Sequence, residues 1–345
     1  MDILNYRSTE LTTLMAERYG KGQWHGEGLF SHLYKEGSLK GLERHETFLA
    51  NADLAGRIQD DWAFELPQLV REQKEGDTIK ALLNYPSGGS SESVFIPMHG
   101  HNTLCLSSQV GCARGCTFCR TAKMGLVRNL KAGEIVAQVM HHRFREGREI
   151  RNIVFMGMGE PFDNLDEVIR AVDILSHPHG LALLKRHISL STCGQGEGLE
   201  QFGKLIRERP EEAYQTLRIA VSLNAADNEK RSKMMPVNRL WPLEQLKLCL
   251  QKLPQSKRKD GLYFEYVLIK GVNDSREDAD NFLRFMDGLV CKVNLIPLHG
   301  GENTPARDDM DRFHRWIREG GRECRTRKSK GKDILAACGQ LAVET

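Results

Sequence analysis

Thr103-Leu104-Cys105-Leu106-Ser107-Ser108-Gln109-Val110-Gly111-Cys112-Ala113-Arg114-Gly115-Cys116-Thr117-Phe118-Cys119 joins a short apolar run to a loop that carries three thiols. Residues 103–107 have the length and side chains of a buried strand, and the loop after them carries the chemistry. The same arrangement recurs downstream, with strand candidates at 153–156, 188–191, 219–223, 263–269 and 293–296. Most lead through a polar or glycine-rich turn into an amphipathic stretch, as at 132–144, 168–175 and 243–253. Six such units argue for parallel strands with crossover helices, and both an open doubly wound sheet and a barrel-like curl fit that count. The polar residues choose between them. Gly157-Met158-Gly159-Glu160-Pro161, Ser191-Thr192-Cys193-Gly194, Ser222-Leu223-Asn224 and Asn294 all fall at or just after strand ends. A site gathered from the C-terminal ends of several strands is how a β/α barrel builds its chemistry. The sequence therefore predicts an α/β chain with a partial (β/α)6 barrel.

Upstream, residues up to about 85 read as helical, in segments such as 9–19, 39–50 and 55–58 onward. Pro86-Ser87-Gly88-Gly89-Ser90-Ser91 is the best break. This predicts a small N-terminal helical domain over 1–90 and a catalytic domain over 91–345. The 345 residues suffice for one large unit and an accessory one. With 40% apolar and 28% charged residues, the composition is that of a soluble globular protein. Its net charge of +3 neither demands nor excludes nucleic acid. The first residues lack the apolar core of a signal peptide, and no run approaches the roughly 20 apolar residues of a membrane span. The expectation is a cytoplasmic protein without membrane contact.

The nine cysteines are an odd number and are not spread as a disulfide framework; clustered ones suggest a metal or redox site, and scattered ones are usually buried small hydrophobes. Cys112, Cys116 and Cys119 on one loop can hold three irons of a 4Fe-4S cluster and leave the fourth iron open to a ligand. Structural zinc, which takes four ligands, stays open on spacing alone, with Cys105 or a histidine as the fourth. The pattern, with Phe118 just before the last cysteine, resembles the radical S-adenosylmethionine (SAM) superfamily. In that superfamily the open iron binds the methionine end of SAM, and one electron from the cluster releases a deoxyadenosyl radical. Residues 157–161 resemble the superfamily's GEP-type segment, which implies that Gly159 and Glu160 hold the methionine amino group.

The likeness goes further. Residues 103–112, Phe155 to Pro161, Arg231-Ser232-Lys233-Met234-Met235-Pro236-Val237-Asn238, Gly271-Val272-Asn273-Asp274-Ser275, Val293-Asn294-Leu295-Ile296-Pro297 and Asp333-Ile334-Leu335-Ala336-Ala337-Cys338-Gly339-Gln340-Leu341 resemble the RNA adenosine methyltransferases of the RlmN and Cfr type. The resemblance runs from about 92 to 341 and weakly into the N-terminal part, where the family carries a helical RNA-binding domain. It implies methyl transfer to an adenine ring carbon, C2 before C8, in ribosomal or transfer RNA. Cys338 would be the methylated cysteine that becomes linked to RNA. Cys105 would be the resolving thiol that forms a transient disulfide with it, and Glu92 the proton acceptor. Ser191, Ser222, Leu223, Asn224 and Asn294 match positions that contact SAM. An electron donor such as flavodoxin and a monomeric state are also implied.

The basic run 325–332 precedes Cys338, where an RNA backbone has to pass. Cys193, Cys249, Cys291 and Cys324 read as packing residues. The chain departs from the family pattern at Asn224, where the best-known members have histidine, and at Ala122, Cys193, Gln195 and 298–300. None of these removes a catalytic thiol, but they leave the RNA and the target carbon open. Two other readings stay open on sequence alone: a radical SAM enzyme of another class acting on a peptide or protein, and a zinc-bound RNA-binding module.

Overall fold

The computed structural model describes residues 2–254, 261–327 and 330–343. The chain opens with helices α1 (Ser8–Tyr19), α2 (Gln23–Glu36) and α3 (Ala52–Asp61). Strands β1 (Gln68–Glu75), β2 (Thr78–Asn84), β3 (Ser90–Met98) and β4 (His101–Cys105) come next, with the short pair β5 (Gln109–Gly111) and β6 (Leu126–Asn129) flanking α4 (Arg120–Lys123). Alternation then takes over: α5 (Ala132–Met140), β7 (Asn152–Phe155), α6 (Leu165–Ser176), β8 (Ile188–Thr192), α7 (Gly196–Glu208) and β9 (Arg218–Ser222). The rest of the chain forms α8 (Asn228–Met234), α9 (Leu243–Lys252), β10 (Leu262–Leu268), α10 (Arg276–Met286), β11 (Cys291–Pro297), α11 (Arg307–Glu319) and β12 (Cys324–Thr326).

All strands except β5 and β6 join one sheet of order β1-β2-β3-β4-β7-β8-β9-β10-β11-β12. From β4 onward every pairing is parallel, whereas β1 to β4 are antiparallel. Each of the six strands read from the sequence is present. The sheet ends at β1 and β12 without closing, so the expected barrel is partial and not closed. Those strands bury one face in the core and leave alternate residues, such as Ser189, Ser191 and Asn294, only partly buried. Leu104, Ile153, Phe155, Ile188, Leu190, Val221, Phe264, Tyr266 and Leu295 all belong to one core.

The expectation of helix up to about residue 85 is overturned. Helix ends at Asp61, and residues 68–84 form the β1–β2 hairpin. The reason lies at the edge of the sheet. β1 reads Gln-Leu-Val-Arg-Glu-Gln-Lys-Glu and is largely exposed, so it has no apolar alternation, and its charges protect a free sheet edge. The break at 86–91 is the turn between β2 and β3, closed by Gly88 N–H donating to Tyr85 O at 2.9 Å. Residues 39–50 hold only a short 3-10 turn, Leu42–Arg44, in place of the expected helix. Arg7 pairs with Asp173 at 2.9 Å, and Gly133 N–H donates to Asn5 at 2.9 Å. These contacts seat the first helices against α5 and α6. No helix among the described residues is long and apolar enough to cross a membrane.

Candidate active site

The loop that carries Cys112, Cys116 and Cys119 follows β5 and is braced from several sides. Gly111 sits at φ +77°, and a Cβ there would lie 1.9 Å from Gly125 O, so only glycine fits. Cys112 N–H donates to that same carbonyl at 2.9 Å. Thr117 N–H donates to Met234 O at 2.9 Å, which ties the loop to α8. Arg114 and Asp163 form a salt bridge on its flank.

All three thiols are partly buried. Burial pushes Cys112 and Cys116 up to about 12, and the neighbouring thiols add to both shifts. As thiolates the three would repel one another in a low-dielectric pocket, so a cationic group is what lets them ionise together. Among the described residues no three His, Cys, Asp or Glu side chains converge on a point that could hold a single metal ion. A cluster does not ask for that, because each thiolate takes a different iron. An all-thiolate donor set of three fits iron–sulfur.

The segment after β7 packs against the loop before the cluster. A Cβ on Gly157 would lie 2.6 Å from Leu106 O, so the close approach of the two backbones depends on glycine there. Glu160, almost fully buried, accepts from Cys193 N–H at 2.8 Å and from Phe162 N–H at 3.1 Å. Its own amide donates to Gln109 at 2.9 Å. Burial raises its pKa, and the Cys193 bonds pull the other way. Cys193, expected only to pack, does lie beside Cys116 and Phe118, but its backbone N–H also holds Glu160 and its thiol is within electrostatic reach of that carboxylate. No pattern in the sequence signals that second role, because the two residues meet only across neighbouring strand ends.

Ser191 and Ser222 stand half-buried at the ends of β8 and β9, and Asn294, also half-buried, lies in the middle of β11. Ser222 and Asn294 both lie in register with Glu265 of β10, and Asn294 Nδ2 donates to Glu265 Oε1 at 2.7 Å. Glu265 is buried, with its pKa raised by burial, and it is the largest electrostatic neighbour of Cys338. Sequence reasoning misses it because it sits inside the apolar run of 263–269. Leu223 N–H donates to Glu265 O at 3.0 Å. Asn224 adopts φ +58° and accepts from Val267 N–H at 2.8 Å, so its side chain locks the end of β9 to β10. The buried Asn273 donates to Asn224 O at 2.7 Å, which explains the 271–275 motif as a brace.

The C-terminal segment returns across the sheet. Arg120 N–H donates to Gly339 O at 2.8 Å, directly after Cys119. Thr121 Oγ1 donates to Leu341 O at 2.6 Å, and Ala342 N–H donates to Glu92 Oε2 at 3.0 Å. Ala336 and Leu341 join Val94, Cys105 and Met158 in a small apolar cluster. Cys338 is thus held open to solvent yet ringed by protein, and burial pushes its thiol up to about 11, with Glu265 adding and Arg327 opposing. Cys105 is buried on β4, and its thiol is raised by burial and by Cys338; both sulfurs are free thiols here. Glu92 is fully buried on β3, with Lys80 3.0 Å from Oε1. Within the basic run, Arg325 and Arg327 are exposed on and after β12, while Lys328 and Ser329 lie outside the described residues. Cys249 and Cys324 are core residues and Cys291 packs against the core, as expected.

An open β/α half-barrel with three thiols on the loop after its first parallel strand defines a radical SAM protein, and the model for the Radical SAM superfamily matches residues 106–285. The dual-specificity RNA methyltransferase RlmN of Pelobacter propionicus is 44% identical over 279 residues, 80% of this chain and 77% of that protein. The RlmN of Geobacter sulfurreducens is 39% identical over 93% of this chain and 87% of its own length. The crystal structure of a radical SAM methyltransferase from Sphaerobacter thermophilus superposes with a TM-score of 0.88 at 35% identity, covering 99% of both chains. Within that superfamily, the chain belongs to the RlmN family of SAM-dependent RNA methyltransferases.

Proposed function

We propose that the chain methylates an adenine ring carbon, C2 before C8, in ribosomal or transfer RNA through a methylated Cys338. The observation that carries this reading is the return of the C-terminal segment. It sets Cys338 beside the cysteine loop, through Gly339 and Arg120, and within electrostatic reach of Cys105. Two thiols beyond the three of the loop are what a covalent route needs, because an adenine carbon between two nitrogens does not attack a methyl sulfonium.

Cys112, Cys116 and Cys119 would hold a 4Fe-4S cluster, and when bound it supplies the electron that cleaves SAM. Gly159, Glu160, Ser191, Ser222, Leu223, Asn224 and Asn294 would line the SAM site. Cys338 accepts the methyl group as a thiolate and later carries the RNA on its sulfur. Cys105, as a thiolate, then attacks the Cys338 sulfur, and the Cys105–Cys338 disulfide forms as the sulfur–carbon bond breaks. The electron pair of that bond leaves on the RNA-borne carbon, which takes a proton to become the methyl group, and a thiol reductant reopens the disulfide. Glu92 would take the ring proton. Within residues 1–90, the helical part α1 to α3 would serve as the accessory RNA-binding unit of a cytoplasmic monomer supplied with electrons by a carrier such as flavodoxin.

Peptide mass spectrometry on Cys338, in protein purified with its cluster intact, tests the reading. A methyl group on that sulfur is expected. An unmodified Cys338 in protein that still cleaves SAM would sink the methyltransferase route and favour a radical SAM enzyme of another class.

A further inference from the structure

Arg231 is the largest fully buried side chain of the molecule among the described residues, with no exposed surface. It lies on α8, in a motif that the reaction above leaves without a task. Its Nε donates to Leu223 O at 3.0 Å, Nη1 to Asn238 Oδ1 at 2.9 Å, and Nη2 to Cys193 O at 2.6 Å and Ser222 O at 3.4 Å. Every acceptor is a neutral oxygen. A buried guanidinium normally keeps a carboxylate beside it, because carbonyl dipoles alone repay only part of its lost hydration. The acidic groups that act on Arg231 are instead two thiols, Cys193 and Cys116. Burial accordingly lowers its pKa to about 10, with the two thiols opposing. The same helix end accepts the Thr117 amide through Met234 O, next to Cys116, and Met234 packs in one cluster with Cys116, Phe118 and Cys193.

We propose that the Arg231 guanidinium is the built-in counter-charge of the iron–sulfur cluster, acting through the Cys116 side of the loop and making the cluster easier to reduce. This rests on the cluster reading above. Three thiolates give a 4Fe-4S centre net negative charge, and an incoming electron adds one more. A buried cation favours the reduced form and so raises the potential, since net charge around a cluster is one of the terms that set it. The hydrogen bonds hold the cation in place and align the strand ends at Cys193, Ser222 and Leu223 around it. Arg231 is therefore a positioning residue with an electrostatic task.

The test is a redox titration of the anaerobically reconstituted protein, following the electron paramagnetic resonance signal of the reduced cluster. Arg231→Gln is expected to lower the ratio of reduced to oxidised cluster at a fixed applied potential about tenfold, a shift of ~59 mV for one electron. Arg231→Lys, which keeps the charge without the four-acceptor fork, is expected to stay near wild type. A Gln variant at the wild-type potential, or Lys and Gln variants shifted equally, would overturn the inference. Should Arg231→Gln fail to load iron, Asn238→Asp decides, because it sets a carboxylate on Nη1 and neutralises the charge in place. It is expected to give the same negative shift, and an unchanged potential there counts against the inference. Failure of all three to bind iron, with cluster-free chains melting like wild type, would assign Arg231 to loop geometry alone. A wild-type chain that takes up no cluster would instead remove the proposed function itself.

Discussion

Lys80 and Glu92 stand on neighbouring strands with charged atoms 3.0 Å apart, and their side chains are 6% and 0% exposed. Glu92 Oε1 has the Lys80 ammonium as its partner, while Oε2 accepts from Ala342 N–H. The carboxylate is therefore both a candidate proton acceptor and the clasp that holds the tail bearing Cys338. Breaking a buried pair strands the other charge, which typically costs about 3–5 kcal/mol. Lys80→Met and Glu92→Leu should each destabilise the chain by roughly that amount. The double variant should lose much less than their sum, because neither charge is then left alone. Urea unfolding of the four proteins measures this, and additive losses would mean that the two charges do not depend on each other. At this scale the sequence speaks unevenly. Cys112, Cys116 and Cys119 announce themselves by spacing, whereas Lys80, Glu265 and Arg231 do not, because what makes them unusual is burial beside particular partners.

The β5–β6 hairpin is a small element with a large responsibility, since its ends deliver the cysteine loop. Gly111 closes it at a positive φ with Gly125 O where a side chain would be. Gly111→Ala must either push β6 away or abandon that backbone conformation, and strain of this kind costs about 1–3 kcal/mol. The expected result is a lowered melting temperature together with a clear loss of iron per chain after reconstitution. A variant that melts lower and still binds full iron would separate the hairpin from the loop. The alternation of strand and helix from β4 to β11 is legible because covered strands are written as plain apolar runs. β1 and the tail are not. An edge strand carries charges that mask its period, and the tail, beyond its local turns, is placed by contacts more than 200 residues away in sequence, such as Ala342 with Glu92 and Leu341 with Thr121. Residues 39–50 have enough helix-forming composition to suggest a helix, yet they fold as turns that put Leu39, Leu42 and Phe48 into the core and His45 against His32.

At the scale of the whole molecule the two ends of the chain converge on one sheet. The first helices lean on α5 and α6, and the last described residues cross β1 to β3, with Asp333 N–H donating to Glu75 at 2.6 Å. The segment that joins β12 to this strap carries Arg325 and Arg327, then Lys332, all exposed. Arg327 is also close enough to weigh on both Cys338 and Glu265. An RNA strand that delivers a base to Cys338 must bring its phosphates past these cations. Each phosphate they neutralise releases counterions, so affinity should fall with salt, by about 0.7–0.9 in log–log slope per contact. Arg325 spends part of its charge on Glu323 at 2.7 Å, so it should contribute less than the other two. Replacing Arg325, Arg327 and Lys332 together by glutamine should weaken binding of bulk transfer RNA and flatten the salt slope by roughly two. SAM affinity of the loaded enzyme is the control, because Asn294 lies in register with Arg325 on the neighbouring strand, and a large loss there would mean that the substitutions disturb the SAM site as well. Anisotropy titrations across a salt series give the slope. An unchanged slope would place the path of the RNA elsewhere and leave the basic run as a solvated edge of the sheet.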